Sequence, residues 1–176
     1  MLEHLDLKQK ISRADYEQLF PGLTARVGEL QREAHKRNDP VVIVFEGWDA
    51  AGKWTTINAL AQALDPRGFV VHPVSKPSRD ERLRPWMWRF WNKLPPPGTV
   101  AIFDRSWYGR VLVERMVRLT PKSEWREAYA EIRQFEQRLS DAGVVLVKFW
   151  LHISRKEQKR RFRRLQSDPT TAWKVD

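Results

Sequence analysis

The stretch Val41 to Thr56, reading VVIVFEGWDAAGKWTT, limits the fold of this chain more than any other. An apolar, β-branched run, Val41, Val42, Ile43, Val44 and Phe45, lies between Pro40 and Gly47 and has the length and composition of a strand buried on both faces. Ile57, Leu60, Ala61 and Leu64 then recur at helical spacing. Between the two lie Gly47, four residues, Gly52 and Lys53, the GxxxxGK spacing in which backbone N–H groups cradle phosphate oxygens and a lysine adds a positive charge. A helix that starts directly after such a loop aims the positive end of its dipole at the same anion. The stretch therefore predicts a phosphate-binding P-loop, with Gly47, Ala50, Ala51, Gly52 and Lys53 as its cradle.

One position departs from that pattern. The residue after the lysine is ordinarily Ser or Thr, which helps to hold Mg²⁺; here it is Trp54, followed by Thr55 and Thr56. Two substitutes are open: the Thr55 hydroxyl one place later, or a carboxylate. Asp49, inside the loop, is the candidate carboxylate for metal binding or catalysis, against the plainer reading of an Asx-turn former.

Further strand patterns follow at Phe69 to Val71, Thr99 to Phe103 and Val144 to Leu151, alternating with helical ones. This alternation predicts a doubly wound parallel sheet flanked by helices. The Thr99 to Phe103 strand ends in Asp104; ligands of such sheets sit beyond the carboxyl ends of the strands, so Asp104 is expected beside the P-loop as a Walker B-type carboxylate for Mg²⁺. The alternative is a helix cap, supplied by Asp104 or Ser106. Arg105 and Arg110 bring phosphate-type donors to the same turn.

The remaining segments read mainly as packing. Residues 1–38 form a helical lead-in, with Ser12 and Asp15 as a capping pair, an interruption at Pro21 and Gly22, and Leu23, Val27, Leu30 and Ala34 on the resumed face. The tryptophan-rich run Trp86 to Trp91 reads as a core-facing helix rather than a base-stacking platform, and Trp125, Tyr129, Ile132, Phe135 and Leu139 mark the buried stripe of a long helix that starts at Pro121. His152, with no second ligand at metal spacing, reads as a hydrogen-bonded structural residue. Arg155 to Arg164 carries too many cations for one face of a helix; it reads as a basic helical lid closing over phosphates, against the plainer reading of a solvated surface helix.

Composition narrows the partners. The 176 residues suit one domain, divided as lead-in 1–38, core 39–154 and lid 155–176. Lys and Arg outnumber Asp and Glu by 32 to 22, a net charge of +10, which implies a polyanionic partner. The chain has no cysteine, no apolar run of membrane-spanning length and a charged start, all consistent with a cytoplasmic protein.

Four motifs in order resemble the polyphosphate kinase type 2 family over nearly the whole chain: FEGWDAAGK (Phe45 to Lys53), PWMWRFWNKLPPPG (Pro85 to Gly98), FDRSWYGRVLVER (Phe103 to Arg115) and VVLVKFWLHIS continuing to KRRF (Val144 to Phe162). The likeness is strongest to the branch that phosphorylates nucleoside monophosphates. It implies a P-loop kinase-like sheet in order 2-3-1-4 and transfer of the terminal phosphoryl group of polyphosphate to a nucleotide, chiefly AMP to ADP, with Mg²⁺. Asp49 and Asp104 match the family's metal- and acceptor-positioning aspartates, Lys53 and Arg105 its phosphate ligands, and Arg160, Arg161 and Arg164 its lid. Polyphosphate and AMP, or a nucleoside diphosphate, are then the expected partners; a homo-oligomer is compatible, and nucleic acid is not expected. The family's sequence continues past the residues that match Ala172 to Asp176, so a fragment of a longer protein is also expected. The competing readings are a P-loop module that binds polyphosphate or RNA without turnover, and an ATP-dependent small-molecule kinase.

Overall fold

The computed structural model describes residues 2–7 and 9–172; residues 173–176 of the expected lid lie outside them. Four parallel strands form one sheet: β1 (Val41–Gly47), β2 (Phe69–Pro73), β3 (Val100–Asp104) and β4 (Val145–Leu151), in the order β2-β3-β1-β4 expected from the sequence. Helices α1 (Arg13–Arg37), α2 (Lys53–Ala63), α3 (Arg79–Arg82), α4 (Trp88–Trp91), α5 (Lys122–Asp141) and α6 (Arg155–Ser167) complete it, with a π-helical turn at Arg110–Glu114.

Strand alternation sends successive side chains to opposite faces, and each face has its own core. Val42, Val44, Ala101 and Phe103 pack with Phe90, Trp107 and the α5 residues Ala128, Ile132, Phe135 and Leu139. Phe45, Val100 and Ile102 pack with Ile57 and Leu64 of the α2 segment, while Val27 of α1 joins from outside. The register sets Phe45 opposite Asp104 on one side and Phe149 on the other, so the P-loop leaves β1 level with the end of β3.

Several sequence expectations shift. Ser12 caps α1 as expected, its hydroxyl accepting from the Asp15 amide at 3.0 Å. The helix then runs through Pro21 unbroken. The stretch is exposed, so water can serve the carbonyl that a proline nitrogen leaves without a donor, and Thr24 Oγ1 donates to Phe20 O at 2.8 Å one turn on. Its packing face is Val27, Gly28 and Gln31, not Leu23 and Leu30, because Gly28 lets α1 close on the end of α2 and Gln31 bridges the amide and carbonyl of Asp65. On α5 the buried stripe takes Ala128 where Tyr129 was expected, and Tyr129 is exposed. The tryptophan run forms only the single turn α4, which buries Arg89 and Phe90 and leaves Trp91 partly exposed. β4 is an edge strand, so Val145, Phe149 and Trp150 stay substantially exposed despite their apolarity. Among the described residues, no helix is long and apolar enough to cross a membrane.

Candidate active site

The P-loop begins with a glycine that nothing else can replace. At Gly47 φ is +134° and a Cβ would stand 2.2 Å from the Leu151 carbonyl oxygen, so the chain turns out of β1 while still touching β4. Ala50 (φ 60°) and Gly52 (φ 106°) then take left-handed conformations, and α2 starts at Lys53. Lys53 folds back into the loop it follows: its Nζ donates to Gly47 O at 2.9 Å and Trp48 O at 3.1 Å. Burial pushes its pKa down, opposed chiefly by Asp49.

β3 delivers the opposing wall. The Asp104 carboxyl is partly buried, and burial pushes its pKa up, against the pull of Lys53 and Arg105. Arg105 turns with φ 66°, a strained value for a non-glycine residue, held by its own N–H donating to Phe45 O at 2.9 Å. Its guanidinium donates to Asp49 Oδ1 at 2.9 Å. Two carboxylates clamp this turn from behind. Glu46, buried at the end of β1, accepts from Ser106 Oγ at 2.7 Å, and burial raises its pKa. Glu136 of α5 accepts from Trp107 Nε1 at 3.0 Å, Tyr108 Oη at 2.7 Å and Lys148 Nζ at 2.7 Å.

The third wall is α6. Ser154 caps it by accepting from the Glu157 amide at 3.1 Å, and Glu157 then binds Arg160 and Arg161. Those two hydrogen-bonded arginines, Arg160 first, hold the Glu157 pKa down to about 2.

A crevice of about 1240 Å³ opens between these walls. Of the residues expected to form the site, Asp49, Ala50, Gly52, Lys53, Thr55, Asp104, Arg105, Arg160, Arg161 and Arg164 all line it. Gly47 and Ala51 shape the loop from behind. Arg110 does not belong. It points to a separate cavity of about 530 Å³, lies over Trp86, and bonds Glu114, Thr120 and Glu124. Five residues past Arg105, it opens the π-helical turn and faces the α5 side.

Trp54 does not plug the cradle: its indole, 51% exposed, lines the crevice wall beside Thr55. The Thr56 hydroxyl donates to Gly52 O at 3.1 Å, which leaves Thr55 as the threonine facing the crevice. His152 accepts from Trp48 Nε1 at 2.8 Å, the structural role expected of it. Glu46, Glu136 and Gln158 escaped the sequence reading, since isolated polar residues in apolar or basic runs carry no spacing signal.

Residues 10–176 match the polyphosphate kinase 2 (PPK2) family. The chain belongs to the polyphosphate kinase 2 family. This polyphosphate kinase 2 chain is 45% identical over 175 residues to a polyphosphate:AMP phosphotransferase of Pseudomonas syringae pv. tomato, covering 99% of itself and 35% of that protein. It is 38% identical over 167 residues to a GDP-polyphosphate phosphotransferase of Mycolicibacterium smegmatis, covering 95% of itself and 59% of that protein. Among solved structures it is similar to a polyphosphate kinase 2 from Pseudomonas aeruginosa PA01, with a TM-score of 0.95 and 41% identity over 99% of this chain and 38% of that one. A polyphosphate kinase 2 from Arthrobacter aurescens TC1 gives a TM-score of 0.93 and 30% identity over all of this chain and 65% of that one. The chain thus spans about a third of the length of the polyphosphate:AMP phosphotransferases it matches.

Proposed function

We propose that this chain carries the phosphoryl-transfer site of a polyphosphate-dependent nucleotide kinase, with AMP as the acceptor and ADP as the product. The observation that carries the reading is one crevice lined by the P-loop, Asp104 with Arg105, and the α6 arginines. The names of its relatives support polyphosphate and AMP as the pair of substrates.

Phosphoryl transfer needs in-line placement and charge neutralisation more than covalent chemistry. An oxygen of the AMP phosphate attacks the terminal phosphorus of polyphosphate; the new P–O bond forms as the bond to the penultimate phosphate breaks, and the shortened chain leaves with the bridging oxygen. The loop N–H groups and the N-terminus of α2 receive the donor phosphates, with Lys53 within reach. Arg105, released from Asp49, is placed to bind the transferring group, and Arg164 extends the cationic wall.

Asp49 and Asp104 suit Mg²⁺, with the Thr55 hydroxyl beside them: the ion takes one or two carboxylates and completes its shell with water and substrate phosphates. Among the described residues no group of three His, Cys, Asp or Glu gathers, the sparse protein donor set of such a site. Bound there, the ion would neutralise charge on the phosphates.

The test is incubation of the chain with AMP, polyphosphate and Mg²⁺, with ADP followed by chromatography and ATP substituted as donor in parallel. ADP from polyphosphate, lost on the order of 10²-fold or more in Asp104→Asn, supports the assignment. Unchanged turnover in that variant, or activity with ATP alone, overturns it.

A further inference from the structure

Every backbone carbonyl from Gly47 to Ala51 is hydrogen-bonded, and three of the five are served from α6. Lys53 Nζ serves Gly47 and Trp48; Gln158 Nε2 donates to Asp49 O at 2.9 Å; Arg161 NH1 donates to Ala50 O at 3.1 Å and Ala51 O at 3.0 Å. A phosphate cradle works only if its amides face the anion, and a free carbonyl turned inward would repel it. This loop includes Ala50 at φ 60°, a conformation that a non-glycine residue holds only when its surroundings impose it. Arg161 supplies that constraint, its NH1 shared by the Ala50 and Ala51 carbonyls while Nε is anchored on Glu157.

We infer that Arg161 and Gln158 are positioning residues that fix the carbonyl side of the P-loop, so that Arg161 is no phosphate ligand. The donors on Arg161 agree: NH1 is shared by two loop carbonyls and Nε donates to Glu157 at 2.8 Å, so only NH2 is left to face the crevice. Arg160 is likewise engaged, through Nε and NH2, with Glu157. Among the described residues, Arg164 lines the crevice with no side-chain hydrogen bond or ion pair, which makes it the available cation of the three. Gln158, neutral and bound to Asp49 O, fits a brace and not a polyanion contact. α6, expected as a basic lid over the phosphates, is then also part of the P-loop's foundation. The inference deepens the proposed function and rests on its reading of the loop as a phosphate site.

Two readouts separate a brace from a ligand. The first is the affinity for inorganic polyphosphate of one chain length across a KCl series, where each lost phosphate contact makes the log–log slope shallower by about 1. The second is the backbone order parameters of Ala50, Ala51 and Gly52 from ¹⁵N relaxation. Arg164→Ala is expected to lower the slope and leave the loop rigid. Arg161→Lys keeps the charge but loses the fork. It and Arg161→Ala should both keep the wild-type slope, bind more weakly, and drop the loop order parameters from about 0.85 to below about 0.6. Wild-type affinity and loop order in Arg161→Lys, with a shallower slope in Arg161→Ala, overturn the inference. If the wild-type chain binds no polyphosphate, the proposed function fails, and the order parameters alone decide the brace: unchanged values in Arg161→Ala sink it.

Discussion

Gly47→Ala isolates the junction between the sheet and the P-loop. The added methyl would meet Leu151 O at 2.2 Å, Leu151 N at 2.8 Å and Leu151 C at 2.9 Å, all backbone atoms of the paired strand. No side-chain rotation relieves such a contact, so β1 and β4 must part where Trp48 N–H donates to Leu151 O at 3.3 Å. The positive φ adds roughly 1–3 kcal/mol, the forced displacement roughly 1–3, and the weakened hydrogen bond about 0.5–1.5. The sum, roughly 2.5–7.5 kcal/mol, is a large part of the stability of an ordinary domain. Urea unfolding followed by tryptophan fluorescence measures it, and Tm should fall by about 2–4 °C per kcal/mol. Gly22→Ala is the control: it sits inside exposed α1 with nothing within 4 Å of its Cβ, and it should gain about 0.5–1 kcal/mol. A loss below about 1 kcal/mol in Gly47→Ala would refute the claimed approach of the two backbones.

Three further outcomes follow from the site. Glu136→Ala strips the acceptor from the fully buried Trp107 indole and should cost about 1–3 kcal/mol in urea unfolding, Glu136→Gln less. The Glu157 pKa of about 2 lies below its ordinary 4.5, so its contribution is present above 4.5 and lost as pH falls toward 2; wild-type Tm should fall more steeply across that range than that of Glu157→Gln. Asp104 shifts the other way: a raised folded-state pKa means that ionisation weakens the folded state as pH rises through it. Asp104→Asn should therefore be no less heat-stable than wild type at neutral pH, while Mg²⁺ no longer shifts its Tm.

The fold was legible where burial writes a continuous signal. β1 and β3 are apolar on both faces because both faces are covered, and the GxxxxGK spacing for Lys53, with the strand-end position of Asp104, placed the two around one crevice before any geometry was known. Periodicity failed where one residue's rotation decided the face: Tyr129 gave way to Ala128, and Leu23 and Leu30 turned outward because Gly28 sets the closest approach of α1. Pro21 misled because a missing donor matters little on a solvated surface. The edge position of β4 was not legible, since an edge strand can be as apolar as a central one. Residue type suggested Arg110 for phosphate, but at the opening of the π-helical turn it bonds other carboxylates. Nothing in one sequence pairs Gln158 with Asp49 across 109 positions.

Two arginines of the crevice already hold carboxylates: Asp49 occupies Arg105, and Glu157 occupies Arg160. Beyond Arg164, an incoming anion must therefore trade places with resident carboxylates. A lone small anion offers one exchange and gains little, whereas a polymer carrying many phosphates can displace several residents in succession, each swap holding the chain for the next.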